Sequence, residues 1–150
     1  MRILIEKSIG LVIDMQERLY PHMDQFELLL RNTGILLSGL NALDIPVLIT
    51  EQYPKGLGPT LKEVEQKISG GDPVEKISFS CCDEVLFMDK LNRLGKKQVI
   101  ICGIETHVCV LQTVIDLLEK GFVPVVIADC VSSRKPMDKQ IALERMKQDG

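Results

Sequence analysis

The sequence has no long hydrophobic run. No apolar segment approaches the roughly 18 residues that a membrane-spanning helix needs. Glu6 and Lys7 follow soon after Met1, which is unlike a secretory signal peptide. We therefore expect a soluble, cytoplasmic protein without a membrane partner.

Clusters of positive charge are also missing. The formal net charge is −3 at pH 7, and no Lys/Arg-rich run alternates with aromatic residues, so we expect no nucleic-acid partner. A nucleotide-binding site is not indicated either, because Asp14-Met-Gln follows the first predicted strand in place of a Gly-rich fingerprint.

The five cysteines include no Cys-x-x-Cys pair and are odd in number. Adjacent Cys81 and Cys82 are expected to point to opposite faces of an extended segment. This pattern indicates neither a disulfide framework nor a zinc site. We predict reduced thiols, no metal and no other cofactor.

Hydrophobic periodicity predicts alternating strands and helices. Short apolar runs predict strands at residues 9–13, 46–50, 73–76, 97–102 and 123–127. Apolar residues at helical spacing predict helices at residues 24–43, with Asp24 as N-cap, 61–66, 83–94, 109–121 and 138–148. The alternation predicts an α/β fold, in which a mostly parallel, Rossmann-like sheet is the middle of three α/β/α layers. The 150 residues suit one domain.

Three reactive residues follow predicted strands: Asp14 the first, Lys76 the third and Cys109 the fourth. Because active sites of parallel sheets form outside the carboxyl ends of the strands, we expect these side chains to meet. Cys109 in a first helical turn has a stabilised thiolate, Asp14 can take its proton, and Lys76 can hold the carboxylate. Each residue also has an ordinary reading: an apolar filler for Cys109, a turn former for Asp14 and a surface charge for Lys76.

Four motifs occur in order along nearly the whole chain. They are Leu11-Val-Ile-Asp14-Met-Gln16, Lys76-Ile-Ser-Phe79, Gly103-Ile-Glu-Thr-His-Val-Cys109-Val and Val125-Val-Ile-Ala-Asp129-Cys-Val-Ser-Ser-Arg134. With them the chain resembles the isochorismatase-like cysteine hydrolase family. The segment Thr50-Glu-Gln-Tyr-Pro-Lys-Gly-Leu-Gly-Pro59 is similar to the subgroup of isochorismatase domain-containing proteins.

The resemblance implies a catalytic triad of Asp14, Lys76 and Cys109. It also implies a cis peptide bond before the nucleophile, between Ile104 and Glu105, which turns the Glu105 amide toward the site. The backbone N–H groups of Glu105 and Cys109 then form an oxyanion hole, while Thr106 and His107 hold the turn.

Four further side chains are candidates for substrate binding: Gln16, Tyr20, Tyr53 and Phe79. Ordinary packing is the alternative for each aromatic residue, and a surface loop position is the alternative for Gln16. Nicotinamidases of the family bind a metal after the second strand. Here that region reads Glu51-Gln52-Tyr53, without histidine, so neither metal dependence nor nicotinamide specificity is expected.

The resemblance also implies a further strand and helix beyond Gly150. Residues 1–150 are thus expected to be a single, C-terminally short domain that lacks the last strand and helix, with residues 123–127 as an exposed edge strand. Family members are commonly assemblies, so we expect a homo-oligomer.

The expected activity is hydrolysis of a C–N bond in a small amide or carbamoyl substrate through a thioester on the cysteine. Two alternatives stay open. One is hydrolysis of a vinyl ether, as in isochorismatase. The other is a non-catalytic module that uses the same fold for oligomerisation.

Overall fold

Five parallel strands form one sheet in the computed structural model, which describes residues 1–69 and 71–150. The strands are β1 (Ser8–Ile13), β2 (Val47–Gln52), β3 (Val74–Lys76), β4 (Gln98–Ile104) and β5 (Val123–Ser132). The helices in the same residues are α1 (Phe26–Ala42), α2 (Pro54–Leu57), α3 (Lys62–Glu65), α4 (Val85–Arg93), α5 (Leu111–Glu119) and α6 (Pro136–Asp149). Gly70, near the end of the predicted polar segment before β3, lies outside the described residues.

Helices cover both faces of the sheet, because successive residues of each buried strand point to opposite sides. On one side Leu11 and Ile101 pack with Phe87 of α4 and Leu117 of α5. On the other side the sheet residues pack against α1 and α3; this second cluster includes Val12, Ile100, Leu29, Leu37, Leu40 and Val64. The predicted three-layer α/β/α fold with a parallel sheet is confirmed.

The strand order is β3-β2-β1-β4-β5. The chain runs outward from β1 through β2 to β3 and then returns to the other side of β1 with β4. The carboxyl ends of β1 and β4 therefore flank the point where the chain changes direction, which is where open α/β sheets form their ligand sites.

Gly103 lets β4 approach β1 at this point. Its φ is +131°, and a Cβ atom there would lie 2.1 Å from the carbonyl oxygen of Ile13. Only glycine has both the required backbone conformation and the required space. The segment after β4 is thereby brought next to the end of β1.

Several boundaries differ from the predicted ones. Asp24 does not cap α1: the N-cap is Gln25 in a left-handed conformation, without a side-chain cap hydrogen bond. The backbone of Asp24 instead bonds to the end of β5, accepting from Ser132 Oγ and donating to Ser133 O. Cys81 and Cys82 are not extended but open a 3-10 turn, in which both are buried.

The segments at the edge of the site are also more ordered than predicted. β2 continues to Gln52 and is followed by the short helix α2, where the sequence indicated a loop. β5 runs five residues beyond the predicted strand, to Ser132, after an irregularity in its pairing with β4 near Gly103. Within the described residues, no helix has both the length and the apolar character needed to cross a bilayer.

Candidate active site

Asp14 follows β1 directly and is fully buried. Its φ of +54° lies in the left-handed region, which is uncommon for a residue other than glycine. Its N–H donates to the carbonyl of Thr50 (3.2 Å), and its carbonyl accepts from the N–H of Gln16 (2.8 Å). Such strained backbone persists where the surroundings enforce it, and it often marks functional sites.

Lys76 is the last residue of β3, and its side chain reaches the Asp14 carboxylate. Nζ lies 2.7 Å from Oδ2 of Asp14, and neither side chain has any exposed surface. Three further oxygens accept from the same ammonium: Gln52 Oε1 at 2.6 Å, Phe79 O at 3.1 Å and Ser78 O at 3.2 Å. The ammonium is thus enclosed by protein acceptors, which a buried charge requires.

The second oxygen of the Asp14 carboxylate is also bonded. Thr50 Oγ1 donates to Oδ1 over 2.8 Å. Behind Thr50, the thiol of Cys81 donates to the same hydroxyl, with Sγ 3.8 Å from Oγ1. Asp14 therefore has a fixed donor on each oxygen.

Cys109 lies in a π-helical turn, Thr106–Val110, between β4 and α5. The thiol is 5% exposed and belongs to the apolar cluster on the α5 side of the sheet. It lies close enough to Asp14 for the two groups to shift each other's pKa: Cys109 lowers that of the carboxyl, and the carboxylate raises that of the thiol. The structure thus brings together Asp14, Lys76 and Cys109, which are far apart in the sequence.

The ionisation of the pair reflects its burial. Burial raises the pKa of Asp14 above its ordinary value, while Lys76 and the hydrogen bonds from Thr50 and Cys109 oppose that rise. Burial alone would lower the pKa of Lys76, but the Asp14 carboxylate reverses this and leaves the lysine pKa raised. Each member of the pair therefore favours the charged form of the other.

The expectation of a stabilised Cys109 thiolate is wrong for the site at rest. Burial raises the pKa of the Cys109 thiol to about 12, and the negative charge of Asp14 adds to the rise, although Lys76 opposes it. The turn that carries Cys109 is also not a simple first helical turn. Cys109 is therefore a thiol at rest.

The turn before Cys109 has some, but not all, of the features that the resemblance implied. The Ile104–Glu105 peptide bond is cis. His107 holds the turn, since its Nδ1 lies 2.9 Å from Oγ of Ser133. The hydroxyl of Thr106 does not, because it is buried and has no hydrogen-bond partner in the described residues. The predicted oxyanion hole of the Glu105 and Cys109 amides stays a prediction.

Comparison with known proteins identifies the family. A sequence model of the isochorismatase domain matches residues 8–150. The chain belongs to the isochorismatase family.

Relatives in this family match nearly the whole chain. Isochorismatase domain-containing protein 2 of Danio rerio is 42% identical over 150 residues, which are 99% of this chain and 75% of the relative. The structure of MAR1 ribonuclease from Caenorhabditis elegans is 38% identical, with a TM-score of 0.93 over 100% of this chain and 77% of that one. YcaC from Pseudomonas aeruginosa, solved with hexane-2,5-diol and covalent acrylamide, is 25% identical, with a TM-score of 0.92 over 99% of this chain and 76% of that one.

A cavity of about 380 Å³ in this isochorismatase-family chain is lined by Lys76 but by neither Asp14 nor Cys109. Its lining residues are Tyr53, Pro54, Lys55, Glu75, Lys76, Ile77 and Glu84. Tyr53 and Phe79 are both about half exposed, at 54%. Tyr53 lines this cavity, and its role in substrate binding stays a prediction. Phe79 is not among the lining residues, and its recorded contribution is the carbonyl that accepts from Lys76.

Gln16 and Tyr20 lie elsewhere than predicted. Gln16 is fully buried. Its Nε2 donates to the carbonyls of Gln52 (3.0 Å) and Gly58 (2.7 Å), and its Oε1 accepts from the N–H of Gln52 (2.7 Å). Gln16 therefore anchors the segment after β2 and does not orient Asp14 through its side chain. Tyr20 packs edge-to-face on Phe26 in the apolar cluster on the α1 side.

Thr50 and Gln52 belong to the site but were not predicted as site residues. Both lie at the end of β2 and contact the buried ion pair. The sequence signal that could have found them is their two-residue spacing at the end of a strand, which places both side chains on one face. In the described part of the chain, no three His, Cys, Asp or Glu side chains come together as a metal site would require.

Proposed function

We propose that the chain is a cysteine hydrolase that cleaves the C–N bond of a small amide or carbamoyl compound through a thioester on Cys109. The observation that carries the proposal is the fully buried Lys76–Asp14 ion pair, which lies near enough to the Cys109 thiol for both charges to act on its pKa. Burying a charged side chain costs folding free energy unless a partner of opposite charge compensates it, and buried charges with shifted pKa values are frequent at active sites. A nucleophile beside a base that is oriented by a third group is the usual arrangement for covalent catalysis.

Asp14 acts as the general base in this proposal. Because the pKa of Cys109 is raised to about 12 by burial, little thiolate exists before substrate binds. Burial also raises the pKa of Asp14, which makes its carboxylate a stronger base than that of a free aspartate. The proton moves as the sulfur attacks, so that separated charges are not formed in the apolar surroundings.

The reaction balances with these three side chains and one water. Sγ of Cys109 attacks the carbonyl carbon, and its proton passes to Asp14. The C–N bond then breaks, and Asp14 returns the proton to the leaving amine. A water molecule, giving one proton to Asp14, attacks the thioester; the acid product leaves, and the thiol recovers its proton. Lys76 keeps its charge throughout and holds the carboxylate in place.

The covalent acrylamide in YcaC from Pseudomonas aeruginosa supports this assignment. It shows that this relative carries a nucleophile that can form a bond with a small amide-containing electrophile. In the present chain we assign the corresponding reactivity to Cys109, because Asp14 and Lys76 both act on the pKa of its thiol and the family motif places the nucleophile there.

Hydrolysis of RNA is less well supported, although a relative is named a ribonuclease. The lining of the cavity has two acidic residues, Glu75 and Glu84, against one further lysine, Lys55, because Lys76 is paired with Asp14. A phosphate backbone is normally bound by several unpaired Lys or Arg side chains. The vinyl ether reaction, the non-catalytic role and homo-oligomer assembly stay predictions.

The proposal is tested by labelling and turnover with matched variants. Acrylamide should label one thiol of the wild-type protein, with the adduct on the peptide that contains Cys109, and a library of small amides should give ammonia release. Cys109→Ala should abolish both signals. Cys82→Ala is the matched control: Cys82 is 7% exposed and burial also raises the pKa of its thiol to about 12, but Asp14 is not among the groups that shift that pKa.

Three results would oppose the proposal. Labelling or ammonia release that persists in Cys109→Ala would remove Cys109 from the reaction. Equal labelling of Cys82 and Cys109 would show that exposure alone, without the Asp14 base, sets the reactivity. Cleavage of RNA by the wild type but not by Cys109→Ala, with no amide turned over, would favour the ribonuclease alternative.

A further inference from the structure

The end of β2 presents two polar side chains to the ion pair. Thr50 and Gln52 are two residues apart, so they share one face of the strand. Thr50 contacts Asp14, and Gln52 contacts Lys76. Glu51, between them, points away and bonds to the N–H and hydroxyl of Thr60, at 2.6 and 2.7 Å. One strand end thus holds both members of the pair.

Of the contacts made by Thr50 and Gln52, the one from Thr50 to Asp14 has its donor fixed by the neighbouring groups. A hydroxyl has one proton to donate. The Thr50 proton is directed to Oδ1 of Asp14, because the other neighbour of the oxygen, the Cys81 thiol, is itself a donor. The Thr50 carbonyl accepts from the N–H of Asp14 as well. Thr50 therefore fixes both the backbone and the carboxylate of the proposed base.

We infer that Thr50 is a positioning residue of the proposed hydrolase, whose hydroxyl keeps Asp14 ionised and holds Oδ2 of the carboxylate beside the Lys76 ammonium. The inference rests on the proposed function for its catalytic consequence. A donor on Oδ1 stabilises the carboxylate over the carboxylic acid. It also restricts rotation of the carboxylate, so that Oδ2 stays in contact with the ammonium.

The groups facing Asp14 come from several elements, and their effects can be separated. Lys76 of β3 favours the ionised carboxylate, as do the hydrogen bonds from Thr50 of β2 and Cys109 of the π-helical turn. Cys81 of the 3-10 turn also faces the site, since Asp14 raises the pKa of its thiol. Removing the Thr50 hydroxyl takes away one stabilising donor, so the pKa of Asp14 must rise further.

The sign of the kinetic effect follows. Asp14 must be ionised to accept the proton of Cys109, so the acid side of the kcat/KM profile reports its ionisation. In Thr50→Val this side should move to higher pH. On that side kcat/KM should fall about tenfold, as expected for a lost hydrogen bond to a charged group, and the loss should shrink as pH rises. Thr50→Ser keeps the donor and should stay within about threefold of wild type.

A matched control comes from α1. Thr33 is also fully buried, but its hydroxyl has no hydrogen-bond partner in the described residues. Thr33→Val removes a buried hydroxyl in the same way and should leave the pH profile unmoved. Thr50→Ala removes the donor without adding a methyl group in its place and serves if Thr50→Val does not fold.

A second readout does not depend on turnover. Carbon-13 NMR of carboxyl-labelled aspartate follows the Asp14 titration, assigned with Asp14→Asn, in wild type and the Thr50 variants. The inference predicts that Asp14 titrates at higher pH in Thr50→Val and Thr50→Ala, but not in Thr50→Ser or Thr33→Val. An unmoved titration in Thr50→Val, or a pH-independent loss shared by Thr50→Ser, would overturn it. If the wild type turns over no amide, the proposed function fails while this titration still decides the role of Thr50.

Discussion

Replacing Lys76 by methionine should leave a buried carboxylate without its partner. The ammonium makes a 2.7 Å ion pair with Asp14, and both side chains are fully buried. Breaking a buried pair by removing one member costs about 3–5 kcal/mol of unfolding free energy. Asp14→Asn should cost less, because the ammonium keeps three other acceptors, on Gln52, Ser78 and Phe79.

The double variant separates the ion pair from packing. Lys76→Met with Asp14→Asn contains neither charge, so its loss should be smaller than the sum of the single losses by about 1–3 kcal/mol. The pH dependence has a definite sign. Without Lys76 the pKa of Asp14 rises further, so ionisation opposes folding. The loss in Lys76→Met should therefore be small at pH 4 and below, and it should grow as pH rises.

Urea unfolding at pH 4 and pH 7 measures both effects. Lys62→Met is the control, since Lys62 is exposed on α3 and should change stability by no more than about 0.5 kcal/mol. Additivity of the single variants within about 0.5 kcal/mol, together with a loss that does not depend on pH, would refute the coupled buried pair.

Three further predictions concern Cys109, Gln16 and Gly103. Urea unfolding should show that Cys109→Ala loses less stability than wild type between about pH 9 and pH 11, by about 1.4 kcal/mol per pH unit. The reason is that the folded thiol keeps its proton to about pH 12, whereas the unfolded thiol ionises near its ordinary pKa of 9.0. An unchanged slope of stability against pH would mean that the thiol is not buried as described. Gln16→Leu should cost about 2–3 kcal/mol by urea unfolding and speed proteolysis of the segment after β2, since three hydrogen bonds are lost; an unchanged cleavage rate would argue against the anchoring role. Gly103→Ala should prevent folding by circular dichroism because its Cβ would clash with the backbone of Ile13, whereas Gly39→Ala, with no atom within 4 Å of the new Cβ, should stabilise by about 0.5–1 kcal/mol; a folded Gly103→Ala would contradict the close approach of β4 to β1.

The fold could be predicted because its signals are local. The runs around Leu11 and Ile101 are continuous and β-branched, as strands buried on both faces must be. Boundaries were harder where tertiary contacts decide them. β5 runs on to Ser132 because it resumes pairing with β4 after an irregularity. Gln25 rather than Asp24 is the N-cap of α1, because the backbone of Asp24 is bonded to the end of β5.

The site could be predicted only in part, for a related reason. Asp14, Lys76 and Cys109 were found because topology alone gathers the ends of parallel strands. Thr50 and Gln52 were missed because their role depends on which side chains face them across the sheet. Gln16 was misassigned since its partners, the backbone of Gln52 and Gly58, are set by loop conformation. The raised pKa of Cys109 follows from burial, which a helix-terminus argument does not measure.

During turnover, Cys109 should become covalently acylated. This acylation is tested most directly by acid quenching the protein within the first turnovers of an amide that releases ammonia, and by weighing the intact chain and its peptides. We expect the mass of the chain to increase by that of the acyl group. The increase should be confined to the peptide that contains Cys109 and should be lost on treatment with hydroxylamine. Ammonia release without any acyl adduct, or at the wild-type rate in Cys109→Ala, would contradict this expectation.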